Sequence, residues 1–162
     1  MIRNIRVHAF LGFAVCAISM LMAVFYFQQH LGLSPCHLCI FQRVAMMATG
    51  LVFLVAALHG PSGSGGRWLY AVVATITSGV GVAIAARHTY VQSHGSNELC
   101  GGTLSYLFDN LSPMAAIQTV LKGDQDCAKV DWTLLGQGMP FWVMLTFIGL
   151  IVWALAMPKA TR

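Results

Sequence analysis

Four long apolar stretches set the limits on what this chain can fold into. Residues 9–27, 68–86 and 141–157 carry no charged side chain, and residues 40–58 carry only Arg43. A helix needs about 20 predominantly apolar residues to cross the hydrocarbon core of a bilayer, and each stretch meets or approaches that length. Charged residues make up only 9% of the 162-residue chain and apolar residues 57%, against roughly 25% charged in a soluble domain. So few charges cannot cover a water-facing surface. The expected fold is all-α: a four-helix transmembrane bundle forming one membrane domain over residues 1–162, with the lipid bilayer as its solvent.

The first stretch follows Arg3 and Arg6, as the apolar core of a signal peptide would. It is longer than such a core, and it ends in Phe25-Tyr26-Phe27-Gln28-Gln29 without a small-residue cleavage site, so it reads as a retained span. Arg67 lies between the second and third stretches, and Lys159 and Arg162 follow the fourth, whereas the loop from His30 to Cys39 has no Lys or Arg. By the positive-inside rule both termini and the short turn at Pro61–Gly66 are cytoplasmic. Residues 28–39 and 87–138 then form two outer loops, periplasmic if the membrane is a bacterial inner membrane. The net charge of +4 comes with no basic run or aromatic–basic interleaving, which excludes a nucleic-acid partner. Within the long loop Leu104, Leu107, Phe108 and Leu111 recur at helical spacing. A short amphipathic helix on the outer leaflet, ended by Pro113, is expected there.

Of the five cysteines, Cys16 falls inside the first span as a small apolar side chain. Cys36, Cys39, Cys100 and Cys127 all fall in the outer loops or at the edge of the second span. Disulfides persist on the outer side of a bacterial inner membrane. Four cysteines allow three pairings. Cys36–Cys39 with Cys100–Cys127 is the natural resting set, because each bond joins cysteines of one loop. Cys100–Cys127 on its own reads equally as a staple for a long loop. Cys36–Cys39 closes too small a ring to add much stability, and C-x-x-C is a recurrent redox unit. His37, His94 and the four cysteines could in principle supply the ligands of a metal site, but no such site is expected.

Pro35 ends any preceding helix, so the second span starts near Cys39. Cys39 and Arg43 are then one turn apart on one face. A nearby cation and a helix N-terminus both favour a thiolate at Cys39. An arginine slightly inside a membrane is costly and functional by default. Its N–H groups suit a carbonyl oxygen on which negative charge develops, as on a lipid-soluble quinone taking electrons from a thiolate.

These residues carry a resemblance. Pro35-Cys36-His37-Leu38-Cys39-Ile40-Phe41-Gln42-Arg43, then Arg87-His88-Thr89, then Asp126-Cys127-Ala128 with Trp132, Leu135-Gly136, Met139-Pro140 and Trp142, make the chain similar to the disulfide bond formation protein B (DsbB) family over nearly its whole length. The resemblance implies a protein dithiol:quinone oxidoreductase that reoxidises a periplasmic thioredoxin-like thiol oxidase of DsbA type. Electrons then pass to the membrane quinone pool, ubiquinone or menaquinone. It further implies a mixed disulfide through Cys100, pairing of Cys127 with Cys36, release of Cys39 beside the quinone, and quinone contact at Arg43 and His88. Arg87 stands where the family can carry an acidic residue. Two rival readings make their own demands. A metal- or haem-handling membrane protein requires stoichiometric binding without quinone dependence, and a purely structural one requires disulfides that resist a reduced thiol partner.

Overall fold

The computed structural model of the chain describes residues 5–95, 112, 114, 115, 118 and 125–160. Four helices long and apolar enough to cross a membrane cover Ile5–His30, His37–His59, Ser64–His94 and Met139–Lys159. Their outward faces are apolar: Ile18, Leu51 and Ile76 are each 60% exposed and Val152 is 64% exposed. Apolar surface spread along every helix suits lipid and not water.

The first span is α1 (Ile5–Leu21), which continues without a break as a π-helical segment, Met22–His30. Helix α2 covers His37–His59, with Cys36 in extended backbone (φ −70°, ψ 169°) as its N-cap residue. Gly60, at φ 59°, closes α2 in the left-handed conformation that glycine adopts without a Cβ penalty. Helix α3 covers Ser64–His94. Two boundaries differ from the sequence expectation. The turn expected over Pro61–Gly66 is shorter, because Ser64-Gly65-Gly66 already belong to α3. The same helix continues past residue 86 to His94, so Arg87 and His88 are helical rather than the start of a loop. At 1.5 Å per residue its 31 residues span about 46 Å, well beyond a hydrocarbon core of about 30 Å.

A one-turn helix α4 (Gln125–Ala128) leads to a small hairpin, in which β1 (Thr133–Leu134) pairs antiparallel with β2 (Gln137–Gly138). Both central residues of its turn have positive φ, Leu135 at 53° and Gly136 at 77°. That is the two-residue geometry that matches strand twist. Helix α5 (Met139–Ala160) follows directly, with Pro140 in its first turn, where a missing N–H costs nothing. The amphipathic helix expected at residues 104–111 lies outside the described residues.

Helix α3 packs along α5, α1 along α2, and α2 along α3. The packing relies on small residues that let helices approach. A Cβ at Gly12 would come within 2.9 Å of the Phe53 ring, and one at Gly81 would collide with Phe147. Cys16 lies in this core beside Phe53 and Phe147. A Thr49–Thr77 hydroxyl hydrogen bond of 3.1 Å links α2 to α3. At the other end of α1, His8 is buried: its Nε2–H donates to the Trp153 carbonyl at 2.9 Å. Trp153 Nε1–H returns a bond to the His8 carbonyl at 3.1 Å. The two rings stack 4.2 Å apart, joining the first and last spans.

Candidate active site

The second span begins where the chain turns into the bundle. Pro35 holds the approach extended, the Cys36 carbonyl accepts the Ile40 amide at 3.1 Å, and α2 starts at His37. Cys39 is thereby in the first turn, at the positive end of the helix dipole. Cys36 and Cys39 are thiols here, with Cys36 Sγ donating to Cys39 Sγ at 3.1 Å. The arrangement is the dithiol form of the pair expected from sequence as a resting disulfide.

Helix α3 supplies the third member. Because it continues past residue 86, His88 faces inward, 2% exposed, with Nε2 3.7 Å from Cys36 Sγ and hydrogen-bonded to Cys39. His88 Nδ1 is 3.1 Å from Gln42 Nε2. Cys127 comes from α4 and is fully buried against Leu38, Val91 and Cys36. The Cys127 thiol beside it, then Cys39, then burial push the Cys36 thiol well above the usual cysteine range. Cys36 therefore keeps its proton, consistent with its role as donor to Cys39. Cys100 lies outside the described residues.

Arg43 sits one turn after Cys39, but its guanidinium is turned toward the π segment. Nη1–H donates to Gln28 Oε1 at 2.8 Å and Nη2–H to the Ala23 carbonyl at 3.2 Å. Arg43 and Cys39 share a pocket of about 910 Å³, open mouth included, that also touches Phe27, Met46, His88 and Trp132. Its wall is mostly apolar, with a few converging polar groups, as ligand pockets are. Arg87 is exposed, with its guanidinium 5.4 Å above the Tyr90 ring. The mouth is organised by the segment after α4: Gln92 Nε2–H donates to the Lys129 carbonyl at 3.1 Å, and Trp132 meets Phe27 edge to face at 5.1 Å.

Cys36, Cys39 and His88 place their ligand atoms within 4.8 Å of one another, so they form the cluster among the described residues that could hold a metal ion. His37 and His94, the histidines weighed from sequence, are not in it; His94 stacks on Tyr90 at 4.1 Å. The sulfur separation of 3.1 Å is shorter than the roughly 3.8 Å between two thiolates on one tetrahedral zinc ion with about 2.3 Å bonds.

Sequence reasoning missed Gln42 and Gln28. A polar residue beside Arg43 within an apolar span was the available signal for Gln42, but its partner lies 46 residues away on another helix. Nothing in Met22–His30 distinguishes a π-helical from an α-helical continuation.

Comparison with known proteins gives a consistent result. A family model described as Disulfide bond formation protein DsbB matches residues 5–157. The chain is 49% identical over 152 residues to the disulfide bond formation protein B of Xanthomonas campestris pv. campestris (strain 8004), covering 93% of this chain and 88% of that relative. It is 46% identical over 154 residues to the protein of that name from Xanthomonas euvesicatoria pv. vesicatoria (strain 85-10), covering 94% and 89%.

Proposed function

The chain belongs to the DsbB family of disulfide bond formation proteins, and on that premise we propose that it passes electrons from a thioredoxin-like thiol oxidase of DsbA type to a membrane quinone. Membership and the four spanning helices make it a multi-pass membrane disulfide oxidoreductase. The quinone, the partner and the orientation, with redox loops on the periplasmic side and both termini cytoplasmic, are our reading.

One observation carries it: Cys127 is packed against Cys36, while Cys39, one turn away, opens into the pocket that holds Arg43 and His88. A partner dithiol attacks the Cys100–Cys127 disulfide, the partner's own disulfide closes, and two thiols remain at Cys100 and Cys127. The Cys127 sulfur then attacks Cys36 of the Cys36–Cys39 disulfide, forming Cys36–Cys127 with Cys39 as the leaving thiolate; the packing of Cys127 against Cys36 supports this step. The Cys100 thiol then attacks Cys127 of the Cys36–Cys127 bond, so that Cys100–Cys127 re-forms and Cys36 leaves as a thiol; loss of two electrons and two protons from Cys36 and Cys39 to the acceptor would close Cys36–Cys39 again. The residues fit a quinone ring. Phe27 and Met46 would give it apolar contact, and Arg43, which also donates to Gln28 and Ala23, would donate to its oxygen. A bound quinone supplies the two-electron acceptor. Arg43 would supply fixed positive charge where negative charge develops, and His88 a ring nitrogen beside the sulfurs.

The test is quinone reduction by the purified protein with a reduced periplasmic thiol oxidase, with Cys39→Ser as control. Turnover is expected to vanish in the variant. No turnover with either ubiquinone or menaquinone sinks the reading.

A further inference from the structure

Gln42 is a buried polar residue in the middle of the site that the electron route leaves without a task. It is 6% exposed on α2, and its amide nitrogen lies 3.1 Å from Nδ1 of His88 on α3. An amide nitrogen only donates, so Nδ1 must accept. A neutral imidazole that accepts at Nδ1 carries its proton on Nε2. Nε2 is the ring nitrogen that faces the sulfurs, 3.7 Å from Cys36 Sγ.

We propose that Gln42 is a positioning residue that fixes His88 as the Nε2–H tautomer, so that an N–H and not a lone pair is aimed at the Cys36–Cys39 pair. The two tautomers have opposite chemistry at this point. An N–H donates to a sulfur that carries negative charge, and it stabilises the thiolate as leaving group and as electron donor. A lone pair would take a proton from a thiol or bind a metal ion. The same tautomer therefore removes His88 as a ligand from the only three-residue cluster among the described residues that could hold a cation. Gln42 thus makes the site a redox pair and keeps it from acting as a soft-metal trap. The amide rotated the other way would put Oε1 on Nδ1 and reverse all of this, so the tautomer itself is the decisive observable.

The inference rests on the reading of Cys36–Cys39 as the redox pair, but its first readout needs neither quinone nor partner. The full-length protein, 15N-labelled at histidine, is reduced and placed in lipid bilayers, and the His88 resonances are identified by their loss in His88→Gln. In the wild type Nδ1 gives the downfield signal of an unprotonated ring nitrogen and Nε2 the upfield signal of an N–H. Gln42→Glu, nearly isosteric but an acceptor, moves the proton to Nδ1, either reversing the pattern or protonating both nitrogens. Turnover of Gln42→Glu then falls by about tenfold or more, the scale of losing a group that orients a functional imidazole. Gln42→Leu, which neither donates nor accepts, gives a mixture of tautomers and an intermediate rate. An Nδ1–H signal in the wild type overturns the proposal. So does a changed tautomer in Gln42→Glu with unchanged turnover. The expected wild-type tautomer in a protein that never reduces quinone would instead refute the redox reading and leave the tautomer assignment standing.

Discussion

Replacing Arg43 by methionine tests whether its position one turn from Cys39 serves the pocket or only the bundle. Methionine keeps much of the stem and its apolar cover but removes the charge and all five N–H donors. Two of those donors are committed, to Gln28 Oε1 at 2.8 Å and the Ala23 carbonyl at 3.2 Å, and the charge and the other N–H groups serve a ligand. One charge-assisted hydrogen bond to a ligand oxygen is worth about 1.5–3 kcal/mol. At about 1.4 kcal/mol per factor of ten, its loss raises the quinone KM about 10- to 150-fold. The two anchors are partly solvated, so their loss costs stability only about 1–2 kcal/mol and leaves the protein folded. Initial rates of quinone reduction across a range of quinone concentrations, at saturating reduced thiol oxidase, separate KM from kcat. Gln28→Ala removes one anchor and keeps the charge, and should raise KM about fivefold, one ordinary hydrogen bond's worth. A KM for Arg43→Met within threefold of wild type, in protein whose thermal unfolding is near normal, refutes the reasoning and returns Arg43 to a purely structural tether.

Other consequences are open to equally direct measurement. Because Cys127 is the main cause of the raised Cys36 pKa, Cys127→Ser should move the pH profile of Cys36 alkylation in the reduced protein to lower pH; an unmoved profile contradicts that assignment. A raised value means little thiolate at neutral pH, so wild-type Cys36 should alkylate slowly until the solution is strongly alkaline. Gly81→Ala drives a Cβ into the Phe147 ring and should cost about 1–3 kcal/mol, read as a lower unfolding temperature in detergent and relieved by Phe147→Leu. Equal unfolding temperatures would show that the α3–α5 seam yields. Trp132→Ala removes an edge-to-face contact with Phe27 worth about 0.5–1.5 kcal/mol. It should slow reduction of the Cys36–Cys39 pair by the partner about two- to tenfold, with activity titrations as the check.

The spans were legible because lipid demands long apolar runs, and the Cys36–Cys39–Arg43 spacing because it covers one helix start. Helix ends were harder to read. Arg87 and His88 end the apolar run without ending α3, since a helix that leaves the hydrocarbon no longer needs apolar residues. Partnerships between distant helices were invisible. His8 and Trp153 stand 145 positions apart, and Gln42 and His88 stand 46 apart. Arg43 lines the same pocket as Cys39, but the direction of its guanidinium depends on the π segment, which composition does not encode.

The complete burial of Cys127 bears on which thiols can draw on this centre. Exchange requires in-line approach to a sulfur, and small solution thiols have no direct path to one with no exposed surface. A low-molecular-weight reductant therefore cannot enter by attack at Cys127 and has to meet the centre at another sulfur, whatever its potential. Access, and not redox potential alone, then decides which thiol can attack at this position.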